Sequence, residues 1–105
     1  MTDIIYYAEV EISQKGDVNL KVLEDLEELI FEAQEGLPDD EIIIDEEKVV
    51  IDDEEGIILL MSEDYDNLEE VKEKTVAFLK KHVDESQFSI TLHFYKSEYL
   101  DELSI

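Results

Sequence analysis

Carboxylates have the greatest capacity for chemistry in this chain, because 31 aspartates and glutamates stand against 8 lysines and no arginine. They could hold a divalent cation, act as a general acid and base, or present a negative surface to a partner. The densest stretch is 39–64, where Lys48 is the only base among twelve carboxylates. Their spacing decides among the three uses.

The spacing argues against a metal site. Calcium loops place oxygen ligands at alternating positions around a glycine turn, as in D-x-D-x-D-G. The sequence DDEEG at 52–56 is too short and unevenly spaced, and Asp64 and Asp66 lack the glycine. Without cysteine there is no thiolate zinc site and no cysteine nucleophile. We therefore predict no metal and no cofactor.

Catalysis is disfavoured on similar grounds. Paired carboxylates act as acid and base only in a pocket that separates their pKa values. The carboxylates of this chain fall instead in predicted turns and on an exposed helix face. His82 is expected at a helix end, and His93 on an outward strand face, near Glu9 or Glu11 if the first and last strands pair. No serine lies in a G-x-S-x-G context. The sequence predicts no catalytic residue and no enzyme.

Two strands are predicted from strict alternation of apolar side chains. In Asp3–Ile12 the inward residues are Ile4, Tyr6, Ala8, Val10 and Ile12, and in Gln87–Tyr95 they are Phe88, Ile90, Leu92 and Phe94. Between them, three apolar runs separated by acidic turns predict a meander of consecutive strands, at Ile42–Ile44, Val49–Ile51 and Ile57–Met61.

Two helices are predicted from apolar residues at helical spacing. The first covers Val18–Glu35, with Asp17 as N-cap and Gly36 after its end. The second follows Ser62–Asn67, with Asp66 and Glu69 as a capping pair.

The order β-α-β-β-β-α-β predicts an α+β fold in which two helices pack on one face of an antiparallel sheet, a ferredoxin-like or related two-layer sandwich. We predict a single domain over 1–105. Residues 97–105 carry Tyr99, Leu100 and Leu103 at helical spacing. They are expected to form a short helix or a strap that docks on the domain.

The two helices differ in charge. The exposed face of the first carries six carboxylates against Lys21, and like charges meet at i,i+4, which costs helix stability. The second helix has acids early and Lys80, Lys81 and His82 in its last turn, as the helix dipole prefers. Helix stability therefore does not explain the acidic face of the first.

The net charge of −23 excludes several partners. Phosphate binding needs a basic surface, so neither nucleic acid nor an anionic membrane is expected to bind directly. No signal peptide and no run of about 18 apolar residues is present, which predicts a cytoplasmic protein. The field would attract basic proteins.

These observations favour a nucleic-acid mimic that occupies the basic channel of a nucleic-acid-binding protein. In being small, arginine-free and densely acidic, the chain resembles phage-encoded inhibitors of host defence, namely anti-CRISPR proteins, anti-restriction proteins and uracil-glycosylase inhibitors; the likeness is one of composition. Two alternatives stay open, an immunity protein that neutralises a nuclease toxin and an acidic housekeeping interaction module. The predicted partner-binding residues are Glu24, Asp25, Glu28, Glu32, Glu35, Asp45, Glu46, Glu47, Asp52, Asp53, Glu54 and Glu55, with those of the meander turns close together.

Overall fold

The chain forms a sheet layer and a helix layer in the computed structural model, which describes residues 5–38, 41–96 and 98–104, the last range by its backbone alone. The elements in these ranges are β1 (Tyr7–Gln14), α1 (Leu20–Gln34), β2 (Val50–Asp52), β3 (Ile57–Met61), α2 (Leu68–His82), β4 (Phe88–Lys96) and β5 (Glu98–Ser104). Neither helix is long and apolar enough to cross a membrane, a statement that covers the described ranges.

The sheet has the strand order β2-β3-β1-β4-β5, and every neighbouring pair is antiparallel. The central pair β1 and β4 joins the start of the chain to its end. The first six elements follow the split βαβ, ferredoxin-like arrangement, and β5 extends it beyond β4. The predicted α+β two-layer fold is therefore confirmed.

One face of the sheet forms the core together with the helices. The alternation predicted for the first and last strands is confirmed, because Ala8, Val10 and Ile12 are fully buried, as are Leu92 and Phe94. Ile4, which was expected on the same face, lies outside the described residues. The helices cover this face with the buried side chains Leu23, Leu26, Ile30, Val71, Phe78 and Leu79.

The first run of the predicted meander is not a strand. In the segment Ile42–Ile44, only Ile44 makes a bridge, to Ser62. The N–H groups of Ile43 and Ile44 instead donate to the side chain of Gln34. Backbone pairing with the chain after β3 is limited to this bridge, where the N–H of Asp45 donates to the carbonyl of Met61 and the N–H of Glu63 donates to that of Ile43.

The end of the chain is a strand and not a helix. The backbone of β5 pairs with β4 from Thr91 to Lys96. Without β5, the nine-residue β4 would leave a long row of backbone donors and acceptors open at the sheet edge. The side chains of Tyr99, Leu100 and Leu103, on which the helical prediction rested, lie outside the described residues.

Candidate functional site

The exposed flank of α1 is acidic along its length. Five carboxylates within the helix stand against one lysine, and Glu24, Asp25, Glu28 and Glu32 are exposed. Glu24, Glu28 and Glu32 are four residues apart, so they stack in one row. The first turn of α1 holds no acid and the last turn holds no base, the reverse of what the helix dipole favours.

Gln34, a residue that sequence reasoning missed, attaches the following segment to the end of α1. Its side chain is 2% exposed. Its Oε1 accepts hydrogen bonds from the N–H groups of Ile43 at 2.9 Å and Ile44 at 2.7 Å. Its Nε2 donates to the carbonyl of Ile44 at 3.1 Å and to Glu46 Oε1 at 3.4 Å. Gln34 therefore brings Glu46 next to the acidic row of α1.

An open groove of about 570 Å³ joins the two segments. Glu28, Glu32 and Glu35 line it from α1 and its C-cap, and Glu46 lines it from the other segment, beside Phe31 and Ile42. A hollow of about 360 Å³ adjoins it, since both include Ile42 and Glu46. The carboxylates of these two hollows form what we call the acidic surface: Glu28, Glu32, Glu35, Asp45, Glu46, Glu47 and Glu63.

Glu63 belongs to this surface although its sequence position, just after β3, did not suggest it. Its N–H donates to the carbonyl of Ile43 at 2.9 Å, which places it beside the 45–47 turn. Burial raises the pKa of the Glu63 carboxyl, and the charges of Asp45, Asp64 and Glu47 raise it further, against a lowering by Lys48. The surface is thus crowded with like charge.

Positive charge on this surface is sparse. Lys48 makes an ion pair with Asp45, with 3.7 Å from Nζ to Oδ2. The Lys48 side chain is 57% exposed, so this pair is of small worth. Lys21 is also exposed, near the start of α1.

The acidic turn at 52–55 lies at the start of β3, whereas the acidic turn at 45–47 lies beside the end of β3. The expectation that the two turns are close together is therefore wrong. Asp45 contacts Met61 through a backbone hydrogen bond, whereas Asp52 pairs with Ile57. Four residues of strand separate these contacts by about 14 Å. The 52–55 turn is stabilised by Asp52 Oδ1, which accepts hydrogen bonds from the N–H groups of Glu54 and Glu55.

The two turns instead lie near the two ends of α1. Gly56, which follows the second turn with φ of +71°, packs so closely on Val18 that an added Cβ would come within 2.9 Å of Val18 Cγ2. Asp52, Asp53, Glu54 and Glu55 are therefore near the helix start, and Asp45, Glu46 and Glu47 near its end. Asp25 borders the row of α1, since it lies three residues before Glu28, and it also lines a hollow between α1 and α2 with His82.

The remaining candidates for chemistry lie apart from this surface. His93 pairs with Glu9 in the β1–β4 register, and its Nε2 is 4.0 Å from Glu11 Oε2, which confirms the expected meeting of first and last strands. His82 ends α2, where its ring contacts Phe78. Within residues 5–38 and 41–96 no three acidic or histidine side chains are grouped so as to hold a metal ion.

Searches with protein-family models, against curated proteins and against solved structures found no match to this chain.

Proposed function

We propose that this protein is a nucleic-acid mimic, whose acidic surface occupies the basic nucleic-acid-binding channel of a target protein. The observation that carries the proposal is the continuity of that surface from α1 across the Gln34 contact to the 45–47 turn. By blocking the channel the protein would act as an inhibitor, in the manner of phage anti-defence proteins of the anti-CRISPR or anti-restriction type.

The spacing of the charges supports a nucleic-acid-like field. Carboxylates four residues apart on a helix recur about every 6 Å along its axis. Duplex DNA carries one charge per roughly 1.7 Å when both strands are counted. One row is sparser than DNA, but Glu46, Glu47 and Glu63 add further charge beside the row of α1. A basic channel would meet the row of α1 and this adjoining cluster at once.

The attachment of the surface to the core also supports the proposal. Its helical carboxylates lie on α1, whose buried face is anchored in the core, and Gln34 holds the adjoining segment with four hydrogen bonds. A surface already ordered before binding loses less conformational entropy when it binds. Long-range attraction between opposite charges would speed association.

Affinity capture with competition tests the proposal. The immobilised protein is exposed to bacterial lysate at low salt, and bound proteins are eluted with duplex DNA and identified by mass spectrometry. We expect nucleic-acid-binding proteins to be released by the DNA, because both ligands compete for one channel. Failure of DNA to displace any captured protein would contradict mimicry, and a nuclease toxin as the displaced protein would indicate an immunity protein.

A matched pair of variants controls for net charge. Glu28→Lys with Glu32→Lys changes the acidic surface, and Glu69→Lys with Glu73→Lys makes the same change at the same i,i+4 spacing on α2, where both residues are exposed. The first variant is expected to lose capture by about a hundredfold or more, and the second by only a few fold, through long-range attraction alone. Equal losses would show that no particular face binds.

A further inference from the structure

The face of the sheet that points away from the helices, here called the outer face, bears a column of aliphatic side chains. In β3 the alternate residues Ile58 and Leu60 are fully buried in the core, so the other residues of this strand lie on the outer face. These are Ile57, Leu59 and Met61. Val50 of β2 lies opposite Leu59 in the register and is 57% exposed. We call these four residues the aliphatic column.

The aliphatic column sets β3 apart from its neighbours. On the outer face β1 carries Glu9 and Glu11 and β4 carries Thr91 and His93, the alternation expected of an antiparallel sheet with one face in water. The sequence of β3, IILLM, is apolar on both faces, which is typical of a strand covered on both sides. Among the described elements, however, both helices pack on the core side and the other five are the strands themselves.

A row of two carboxylates runs beside the aliphatic column. In the register of β1 with β3, Glu9 lies opposite Met61 and Glu11 lies opposite Leu59. Side chains two residues apart on one strand are separated by about 6.8 Å. On the far side of this row, His93 Nε2 is 4.0 Å from Glu11 Oε2. No outer-face residue of β1 to β4 is a lysine, so the apolar area is bordered by negative charge.

This charge restricts what can cover the outer face. A second copy of the chain, packed face to face, would bring its own Glu9 and Glu11 and a net charge of −23 against the same groups. Nucleic acids and anionic lipids are repelled for the same reason. A protein element with lysine or arginine beside apolar side chains has the complementary pattern.

We infer that the outer face binds one basic amphipathic α-helix of a partner protein, with its apolar stripe on the aliphatic column and its basic residues on Glu9 and Glu11. A sheet buries an apolar face against a layer of helices, as the core side of this sheet does. Basic residues at i and i+4 of a helix recur about every 6 Å, close to the ~6.8 Å between the two glutamates. The column from Ile57 to Met61 is about 14 Å long, which matches two to three helical turns.

The outer face is distinct from the acidic row of Glu24, Glu28 and Glu32. That row lies on the exposed flank of α1, and α1 packs on the core side of the sheet. Binding on the outer face therefore neither requires nor excludes the proposed mimicry. Either surface can fail its test while the other passes.

A designed peptide probes the outer face. It is a helix of about 15 residues with leucines at i, i+4 and i+7 and lysines along one flank of that stripe, and its control has the same composition in scrambled order. Amide chemical shifts of the isotope-labelled protein are followed at ~0.15 M salt, where the Debye length is about 8 Å. We expect saturable shifts centred on Glu9, Leu59 and Val50, and at least tenfold weaker binding of the scrambled peptide. Shifts centred on Glu28 and Glu32 would overturn the inference, because charge attraction to α1 would then account for binding.

Two pairs of glutamates separate a specific contact from net charge. Glu9→Gln with Glu11→Gln removes the row on the outer face and should weaken peptide binding about tenfold. Glu69→Gln with Glu73→Gln removes the same charge from exposed positions of α2, and should weaken binding less than twofold through long-range attraction alone. Equal losses in the two double variants would contradict the inference.

Two exposed valines provide the matched test of the aliphatic column. Val50→Thr keeps the branched shape but adds a hydroxyl that must be desolvated, and it should weaken peptide binding about threefold. Val18→Thr makes the same change at a valine that is 45% exposed and lies before α1, outside the sheet, and it should leave binding unchanged. Urea denaturation checks that each variant is folded. An equal effect of the two changes would overturn the inference.

Discussion

The two helices occupy equivalent positions in one fold and differ chiefly in charge. Each spans 15 residues, begins at an asparagine whose side chain accepts hydrogen bonds from two N–H groups, and buries four side chains. Yet α1 carries five carboxylates against one lysine, whereas α2 carries three against four and places both signs as the helix dipole favours. Because α2 meets the demands of the same fold with balanced charge, the acidity of α1 is not required for folding.

The helices also differ in the polar residue that each one buries. Gln34 of α1 is 2% exposed and makes four hydrogen bonds, whereas Thr75 of α2 is fully buried and its Oγ1 has no hydrogen-bond partner among the residues that the structure describes. A buried polar group stabilises a fold only when it is paired. The polar residue of α1 therefore supports structure, and that of α2 costs free energy.

Replacing Gln34 should have the largest effect on stability. Gln34→Ala leaves the N–H groups of Ile43 and Ile44 without their acceptor and opens a space in the core. We expect the free energy of unfolding to fall by about 3 kcal/mol, measured by urea denaturation. Amide exchange at Ile43 and Ile44 should rise more than exchange at Ala8 or Val10. A loss below about 1 kcal/mol would show that the segment is held by other contacts.

Removing the Thr75 hydroxyl should have the opposite sign. Thr75→Val keeps the branched shape and removes an unpaired buried oxygen. We expect the protein to be as stable as before or more stable, by up to about 1 kcal/mol. The same denaturation assay measures it, and a loss comparable to that of Gln34→Ala would mean that the hydroxyl has a partner after all.

Exchanging charge in the last turns of the two helices sharpens the comparison further. Glu32→Lys should stabilise the protein by about 0.5 kcal/mol, since it removes a carboxylate from the negative end of α1. Lys80→Glu should destabilise it by a similar amount at the equivalent end of α2. Both changes should shrink as salt rises from low ionic strength to about 1 M. Effects that persist in high salt would indicate packing and not charge.

The smallest effect concerns the pH dependence that Glu63 contributes. Its pKa in the folded state lies above the ordinary value of 4.5, because of burial and then of neighbouring carboxylates. The folded state therefore binds its proton more tightly than the unfolded state, and stability falls as pH rises from about the ordinary value through the raised one. Glu63→Gln should remove this part of the pH dependence, with a slight gain in stability at pH 7 and none at low pH. A difference between variant and parent that is the same at every pH would contradict the assignment.

The strands with strict alternation of apolar residues were predictable from sequence. The run Ile42–Ile44, which was predicted as a strand and is not one, was not. In β1 and β4 the period of two alone places Val10 or Leu92 in the core. The run Ile42–Ile44 has the same composition as a strand, but its donors bind Gln34, which lies on the buried stripe of α1 four residues after Ile30. The position of Gln34 was the signal available in the sequence, because a polar residue on the buried face of a helix needs hydrogen-bond partners from another segment.

Helix starts show a similar limit. Asp17 and Asp66 were predicted as caps, but Asn19 and Asn67 accept the hydrogen bonds, because aspartate and asparagine are equally good caps and the sequence offers both. For the acidic surface, the local runs of carboxylates were visible in sequence. The tertiary contacts decide which of these runs lie together. They place Glu63 beside the 45–47 turn and leave the 52–55 turn at the opposite end of β3.

The most direct measurement of the central claim compares stability and binding in Glu28→Lys/Glu32→Lys and in Glu69→Lys/Glu73→Lys. If the charge on α1 serves recognition, the first variant will be at least as stable as the parent in urea denaturation and will lose capture of its basic partner. The second will retain most of that capture. Retained capture by the first variant, or an equal loss in both, would contradict the claim.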